Sequence, residues 1–229
     1  YKRQGKVRAD MGHPAPFNLK MIAVGNEQWG KQYPERLEVF IKAIRAKYPK
    51  MLIVGSSGPS ASGDKFDYLW PEMKRLGADL VDEHYYRSYT WMRDNYNKYD
   101  NTPRSIGIYN GEYAANAGGT YGTYGNMNSA LGEAVYMLGM ERNSDVCRMA
   151  SFAPIFTHEM DPRWAYDMIH FRQGANFVTP SYHVQKILGN SLGHQNMLWT
   201  ETGNTVSTSV AEARVGVGAW STQVVYDDV

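Results

Sequence analysis

Short apolar runs, each cut off by glycine or polar residues and followed by a stretch with helical spacing, recur along this chain. Met21-Ile22-Ala23-Val24 stops at Gly25, and Met51-Leu52-Ile53-Val54 stops at Gly55. Ala78 to Tyr86, Ser105 to Tyr113 and Val146 to Phe152 behave alike. Runs this short, bounded this sharply, predict buried β-strands. Between the first two, Leu37, Phe40, Ile41, Ile44 and Tyr48 mark one face of a helix that Pro34-Glu35 opens and Pro49 closes. Phe66 to Leu76 predicts a second helix, interrupted or restarted at Pro71 and capped by Gly77. A weaker helical pattern covers Trp91 to Tyr99, and Ala130, Leu131, Ala134, Val135 and Leu138 form a stripe running to about Arg142. Strands alternating with helices imply parallel pairing and right-handed crossovers, so the fold class is α/β. A closed (β/α)₈ barrel takes roughly 250 residues. Five strand units therefore leave two choices: an open doubly wound sheet, or the later part of a barrel whose first three strands precede Tyr1.

Beyond Ala153-Pro154, which ends the fifth strand, His158 to Trp164 reads as a polar loop and Trp164 to Arg172 as helix. Thr179-Pro180-Ser181 opens a last helix through Leu188. Helical patterning ends at Ser191. Val206 to Val217 and Ser221 to Val225 are Val- and Thr-rich and predict strands of an appended, incomplete β-unit. The expected division is 1–190 as a partial catalytic barrel and 191–229 as the start of a C-terminal β-rich domain or linker. Residues 1–20 are polar and basic, without the apolar core of a signal peptide. The chain opens without Met in what reads as a loop, so upstream material is expected. A secreted, periplasmic or cytoplasmic setting all fit.

A net charge of +1 gives no reason to expect a nucleic-acid or anionic-membrane partner, and no apolar run approaches a membrane span. The single Cys147 excludes an internal disulfide and most cysteine-based metal sites. His158-Glu159 lacks the second histidine of a zinc-protease helix, since Pro162 stands there. No G-x-S-x-G occurs, and the Gly118–Gly125 loop matches neither phosphate-binding glycine pattern. Neither metal nor cofactor is expected.

The chemistry is expected at two strand exits. Asn26-Glu27, with Trp29 close behind, follows the first strand; Gly111-Glu112-Tyr113 ends the fourth. In parallel α/β folds ligands bind at the carboxyl ends of strands. Two carboxylates at two such ends suit cleavage of a glycosidic bond, one as acid/base and one as nucleophile. His84 and Tyr86, at the exit of Glu83-His84-Tyr85-Tyr86, are expected to support a carboxylate or touch the sugar. Two other readings stay open: a barrel glycosidase with another sugar preference, and a non-catalytic carbohydrate-binding protein on the same scaffold.

These residues resemble the α-L-arabinofuranosidases of glycoside hydrolase family 51. The likeness covers about residues 15 to 190. It lies in Gly25-Asn26-Glu27, Glu83-His84-Tyr85-Tyr86 and Gly111-Glu112-Tyr113-Ala114. Its narrowest part is Ala130 to Pro154, with Glu141-Arg142-Asn143-Ser144-Asp145 and Met149-Ala150-Ser151-Phe152-Ala153-Pro154; Arg163-Trp164 and Thr179-Pro180-Ser181-Tyr182 add to it. The resemblance implies a (β/α)₈ barrel followed by a β-sandwich, with Glu27 after the fourth strand as acid/base and Glu112 after the seventh as nucleophile. It implies that Asn26 binds the sugar 2-hydroxyl and that His84 and Tyr86 support nucleophile and substrate. The implied reaction is cofactor-free, retaining release of terminal arabinofuranosyl groups from plant arabinan or arabinoxylan. A homo-oligomer is expected, and barrel strands one to three would come from the rest of the enzyme.

Overall fold

The structure, a computed structural model, describes residues 2–15, 17–115, 125–160 and 167–191. In chain order the elements are α1 (Lys2–Asp10), β1 (Met21–Ala23), α2 (Gln32–Lys47), β2 (Leu52–Ser56), α3 (Asp64–Leu76), β3 (Leu80–Arg87), α4 (Tyr89–Asp94), β4 (Gly107–Ala115), α5 (Met127–Arg142) and β5 (Cys147–Phe152). Then come β6 (Phe156–His158), β7 (Ile169–Arg172), β8 (Ala175–Val178) and α6 (Pro180–Gly189).

β1 to β5 form one all-parallel sheet in the order β1-β2-β3-β4-β5. A doubly wound sheet reverses its strand order at a switch point; this one never does. With every right-handed crossover stepping the same way, the helices share one face. Ile53, Val81, Ile108 and Cys147 point to that face and pack with Leu37, Leu69, Met73, Tyr136 and Met140 from the helices. The opposite face carries its own cluster of Val54, Leu80 and Met149, flanked by Met21 and Tyr109. This is the inside of a barrel wall, and the sheet is the later part of a (β/α)₈ barrel.

Several expectations need correcting. The chain opens in helix α1, where a loop was expected. α3 runs unbroken through Pro71 and ends, as expected, on the left-handed Gly77. α4 is a short helix, capped by the Ser88 hydroxyl accepting from Trp91 N–H, and it stops at Asp94. The predicted helix over Trp164–Arg172 is contradicted where it is described: Ile169–Arg172 is strand β7, pairing antiparallel with β8 and parallel with β6. Its turn is Gln173-Gly174, with Gly174 at φ +76°, and the alternation of Ile169 and Phe171 with His170 and Arg172 fits a strand. β6 likewise takes part of the stretch read as a polar loop. Residues 161–164 of that loop, 164–166 of the predicted helix, most of the Gly118–Gly125 loop and the Val-rich tail lie outside the described residues.

The buried side of α5 also differs. Leu131 and Leu138 are exposed, while Ala130, Glu133, Tyr136, Met137 and Met140 are buried. The reason lies in Gly132 and Gly139. A Cβ on Gly132 would stand 2.6 Å from Tyr89 O, and one on Gly139 1.8 Å from Tyr96 O. Bare backbone meets bare backbone there, so α5 faces α4 and the turn after it with its glycines rather than its leucines.

The Glu141–Asp145 motif is structural. Arg104 donates to Asp145 Oδ2 (2.8 Å) and Asn143 Oδ1 (2.8 Å), and Arg142 and Asn143 both donate to Asp100 Oδ1. These bonds tie the end of α5 to the turn before β4, and so fix where β4 starts.

Candidate active site

Glu27 and Glu112 come to one place from opposite directions. β1 ends at Ala23, and Gly25 (φ +92°) turns the chain. Glu27 then sits at φ +49°, the only described non-glycine residue in left-handed geometry. Such a conformation costs a side-chain-bearing residue free energy and survives where its surroundings hold it. Tyr33 holds this turn from α2: its hydroxyl donates to Val24 O (2.8 Å) and accepts from Ser56 N–H (2.9 Å).

Glu112 reaches the same place through a bulge. Alternation along β4 puts Tyr109 inward and Asn110 outward, which by itself would make Glu112 outward. The β3–β4 register breaks after Glu83↔Asn110 and resumes at His84↔Glu112, leaving Gly111 unpaired. That extra residue flips the parity and turns Glu112 inward. Only glycine fits, because a Cβ there would lie 2.0 Å from Asp82 Oδ1.

β3 lies between the two. Asp82, His84 and Tyr86, two residues apart, share the inner face. His84 is buried, with Nδ1 2.9 Å from Glu27 Oε1 and 3.6 Å from Glu112 Oε2, and Nε2 3.1 Å from Asp82 Oδ2. Burial disfavours the charged ring, but the hydrogen bond and charge of Asp82, the bond to Glu27 and the charge of Glu112 outweigh it and raise the imidazole to about 9. Tyr86 Oη donates to Glu112 Oε2 at 2.6 Å. One oxygen of Glu27, one of Glu112 and a nitrogen of His84 all lie within 4.8 Å of one another.

The alternate residues of β3 face the helices. Glu83 is buried there and accepts from Trp70 Nε1 (2.7 Å), Tyr99 Oη (2.7 Å) and Tyr85 Oη. Tyr99 sits close enough to share its hydroxyl with Asn110 Oδ1 (2.9 Å). This buried carboxylate anchors β3 from behind while His84 and Tyr86 face forward.

Of the residues singled out in the sequence, Glu27, Glu112, His84 and Tyr86 are brought together. Asn26 and Trp29 stand at the exposed rim; Asn26 O accepts from Gln28, and the Lys65 ammonium lies 4.0 Å from the Trp29 ring centroid. Asp82 and Gly111 were not singled out. The signal for Asp82 was its place in the series Asp82, His84, Tyr86; nothing in the sequence marks the bulge.

Two carboxylates facing each other at strand exits of a barrel sheet, with a histidine between them, are the arrangement that a barrel-type glycoside hydrolase uses. The family follows from comparison with known proteins. Residues 1–104 match the model described as the alpha-L-arabinofuranosidase 1 domain, and residues 94–217 the one described as the alpha-L-arabinofuranosidase C-terminal domain. The chain belongs to the α-L-arabinofuranosidases of glycoside hydrolase family 51. It is 36% identical over 228 residues to an extracellular exo-alpha-L-arabinofuranosidase of Streptomyces chartreusis, covering 98% of this chain and 27% of that protein. It is 40% identical over 213 residues to alpha-L-arabinofuranosidase 2 of Arabidopsis thaliana, covering 90% of this chain and 29% of that protein. An arabinose-bound structure of the family 51 α-L-arabinofuranosidase MgGH51 superposes with a TM-score of 0.72 at 31% identity, over 83% of this chain and 31% of that one. The chain thus spans less than a third of the length of these relatives.

Proposed function

We propose that the enzyme containing this chain is a retaining α-L-arabinofuranosidase that releases terminal arabinofuranosyl groups from arabinose-containing plant polysaccharides such as arabinan and arabinoxylan. The observation that carries the reading is the approach of Glu27 and Glu112, with oxygens within 4.8 Å. Retaining enzymes hold their carboxyl groups roughly 5–5.5 Å apart, inverting ones about 6.5–9.5 Å to admit a water between carboxylate and sugar.

Glu112 is the nucleophile. Tyr86 donates to Oε2, which holds the carboxylate in place and leaves its other oxygen for the anomeric carbon. Glu27 is the acid/base: it gives a proton to the departing oxygen as the covalent glycosyl–enzyme forms, then takes one from the water that releases the sugar. Asn26 binds the 2-hydroxyl, Trp29 supplies an apolar wall at the rim, and His84 supports both carboxylates. The remaining barrel strands of the enzyme complete the pocket, no cofactor takes part, and the active form is a homo-oligomer.

Two measurements on the full-length enzyme test this. Glu112→Gln abolishes turnover of an aryl α-L-arabinofuranoside, and proton NMR of the wild-type reaction shows the α-anomer as first product. Substantial activity in the variant, or first-formed β-anomer, refutes the reading. A panel of aryl glycosides separates arabinofuranose from other sugars.

A further inference from the structure

Asp82 is buried two residues before His84 on the same inner face of β3, and its Oδ2 lies 3.1 Å from His84 Nε2. Its other oxygen, Oδ1, is buried beside Gly111 with no hydrogen-bond partner among the described residues. The carboxylate is therefore committed to the imidazole alone. We propose that Asp82 is a positioning residue that fixes a proton on His84 Nε2, making Nδ1 the place where the proton used by Glu27 is held between turnovers. This rests on the glycosidase reading above and adds to it a store for the acid's proton.

The argument is one of matching donors to acceptors. A ring nitrogen facing a carboxylate must carry hydrogen, or two lone pairs oppose each other. Nε2 faces Asp82, so its hydrogen is fixed there. Nδ1, 2.9 Å from Glu27 Oε1, then has two states: N–H donating to ionised Glu27, or a bare nitrogen accepting from protonated Glu27. One proton serves both.

The groups facing the ring set the balance. They are Asp82 from its own strand, Glu27 from the β1 exit and Glu112 from β4, the last bonded by the Tyr86 hydroxyl. Three carboxylates around one buried ring favour the imidazolium, in keeping with its pKa near 9. At neutral pH the resting proton is on Nδ1.

Proton and bonds balance through the cycle. The proton passes from Nδ1 to Glu27 Oε1 and on to the leaving oxygen as the glycosidic bond breaks and Glu112 bonds to the anomeric carbon. The imidazole is left neutral, with Nε2–H still held by Asp82. In the second half, water attacks that carbon, the ester bond to Glu112 breaks, and the water's proton returns through Glu27 to Nδ1. Serine proteases use an aspartate in the same way, to fix the tautomer of a histidine that moves protons.

The test compares wild type and Asp82→Asn in the full-length enzyme on two substrates. Phenyl arabinofuranoside needs its leaving oxygen protonated; the 2,4-dinitrophenyl compound does not. The expected result is a loss in kcat/KM of at least about 30-fold on the first, within the usual reach of acid/base catalysis, and under about threefold on the second. The alkaline limb of the phenyl pH profile also moves to lower pH. Equal losses on both substrates with an unmoved limb overturn the proposal, since a merely structural role weakens both alike. If the variant does not fold, ¹⁵N-histidine NMR of the wild type decides: His84 doubly protonated at pH 7, keeping Nε2–H when it loses a proton, supports the proposal, and an Nδ1–H tautomer overturns it. Failure of the glycosidase reading looks different. It shows as a wild type inert on arabinofuranosides or an active Glu112→Gln, and it would remove this proposal with it.

Discussion

Glu133 links the stability of the fold to pH. It is buried on α5, and Oε1 accepts the N–H of Ala115, the last residue of β4 and three beyond Glu112. Oε2 has no hydrogen-bond partner among the described residues. Burial raises the carboxyl from 4.5 to about 7, and the Ala115 N–H bond only partly offsets it. The folded state therefore holds this proton more tightly than the unfolded chain does. Below pH 4.5 both states are protonated and the stabilisation is intact; it is lost as pH rises towards about 7. At about 1.4 kcal/mol per pH unit between the two pKa values, the loss is roughly 3 kcal/mol. Glu133→Gln keeps the acceptor for Ala115 N–H and removes the charge. In urea unfolding of the full-length enzyme, the variant matches wild type within about 1 kcal/mol at pH 4.5 and exceeds it by roughly 2–3 kcal/mol at pH 8. A difference that does not change with pH would refute the reasoning.

Two more substitutions probe the geometry. Tyr86→Phe removes the 2.6 Å bond to Glu112; hydrogen bonds to charged groups contribute about 1.5–3 kcal/mol, so kcat/KM falls roughly 10- to 100-fold with little change in melting temperature, and an unchanged kcat/KM would deny the bond a role. Gly111→Ala forces a Cβ to within 2.0 Å of Asp82 Oδ1; overpacking of this kind costs about 1–3 kcal/mol of stability. Activity should fall beyond what lost folded protein explains, measured as kcat per folded enzyme, and full activity would mean that the bulge does not aim Glu112.

The α/β character was legible because strand and helix periods differ and each strand stops abruptly at its carboxyl end, but these patterns left a doubly wound sheet and a partial barrel equally open, and only the family resemblance pointed to the barrel. Glu27 and Glu112 stood out for the same reason: each follows an apolar run where side chains become polar. What stayed hidden depended on tertiary approach. The exposed leucines of α5 satisfy the helical pattern as well as its buried face does, and only contact with the backbone of α4 and of the turn after it shows why Gly132 and Gly139 decide the matter. The bulge at Gly111 is equally silent, because alternation read through it assigns Glu112 to the wrong face. Asp82 gained its meaning only when the sheet placed it beside His84. Ile169–Arg172 is too short to choose between periods, and pairing with β6 and β8 makes the choice.

The central claim is that Glu112 attacks the sugar while Glu27 manages the proton. Incubating the full-length enzyme with a 2-fluoro-arabinofuranosyl fluoride, which glycosylates quickly and deglycosylates slowly, and mapping the adduct by peptide mass spectrometry tests it most directly. The account predicts one sugar per chain, esterified to Glu112, with labelling slowed by Tyr86→Phe. An adduct on Glu27 or on any other residue, or turnover without a covalent intermediate, would contradict it.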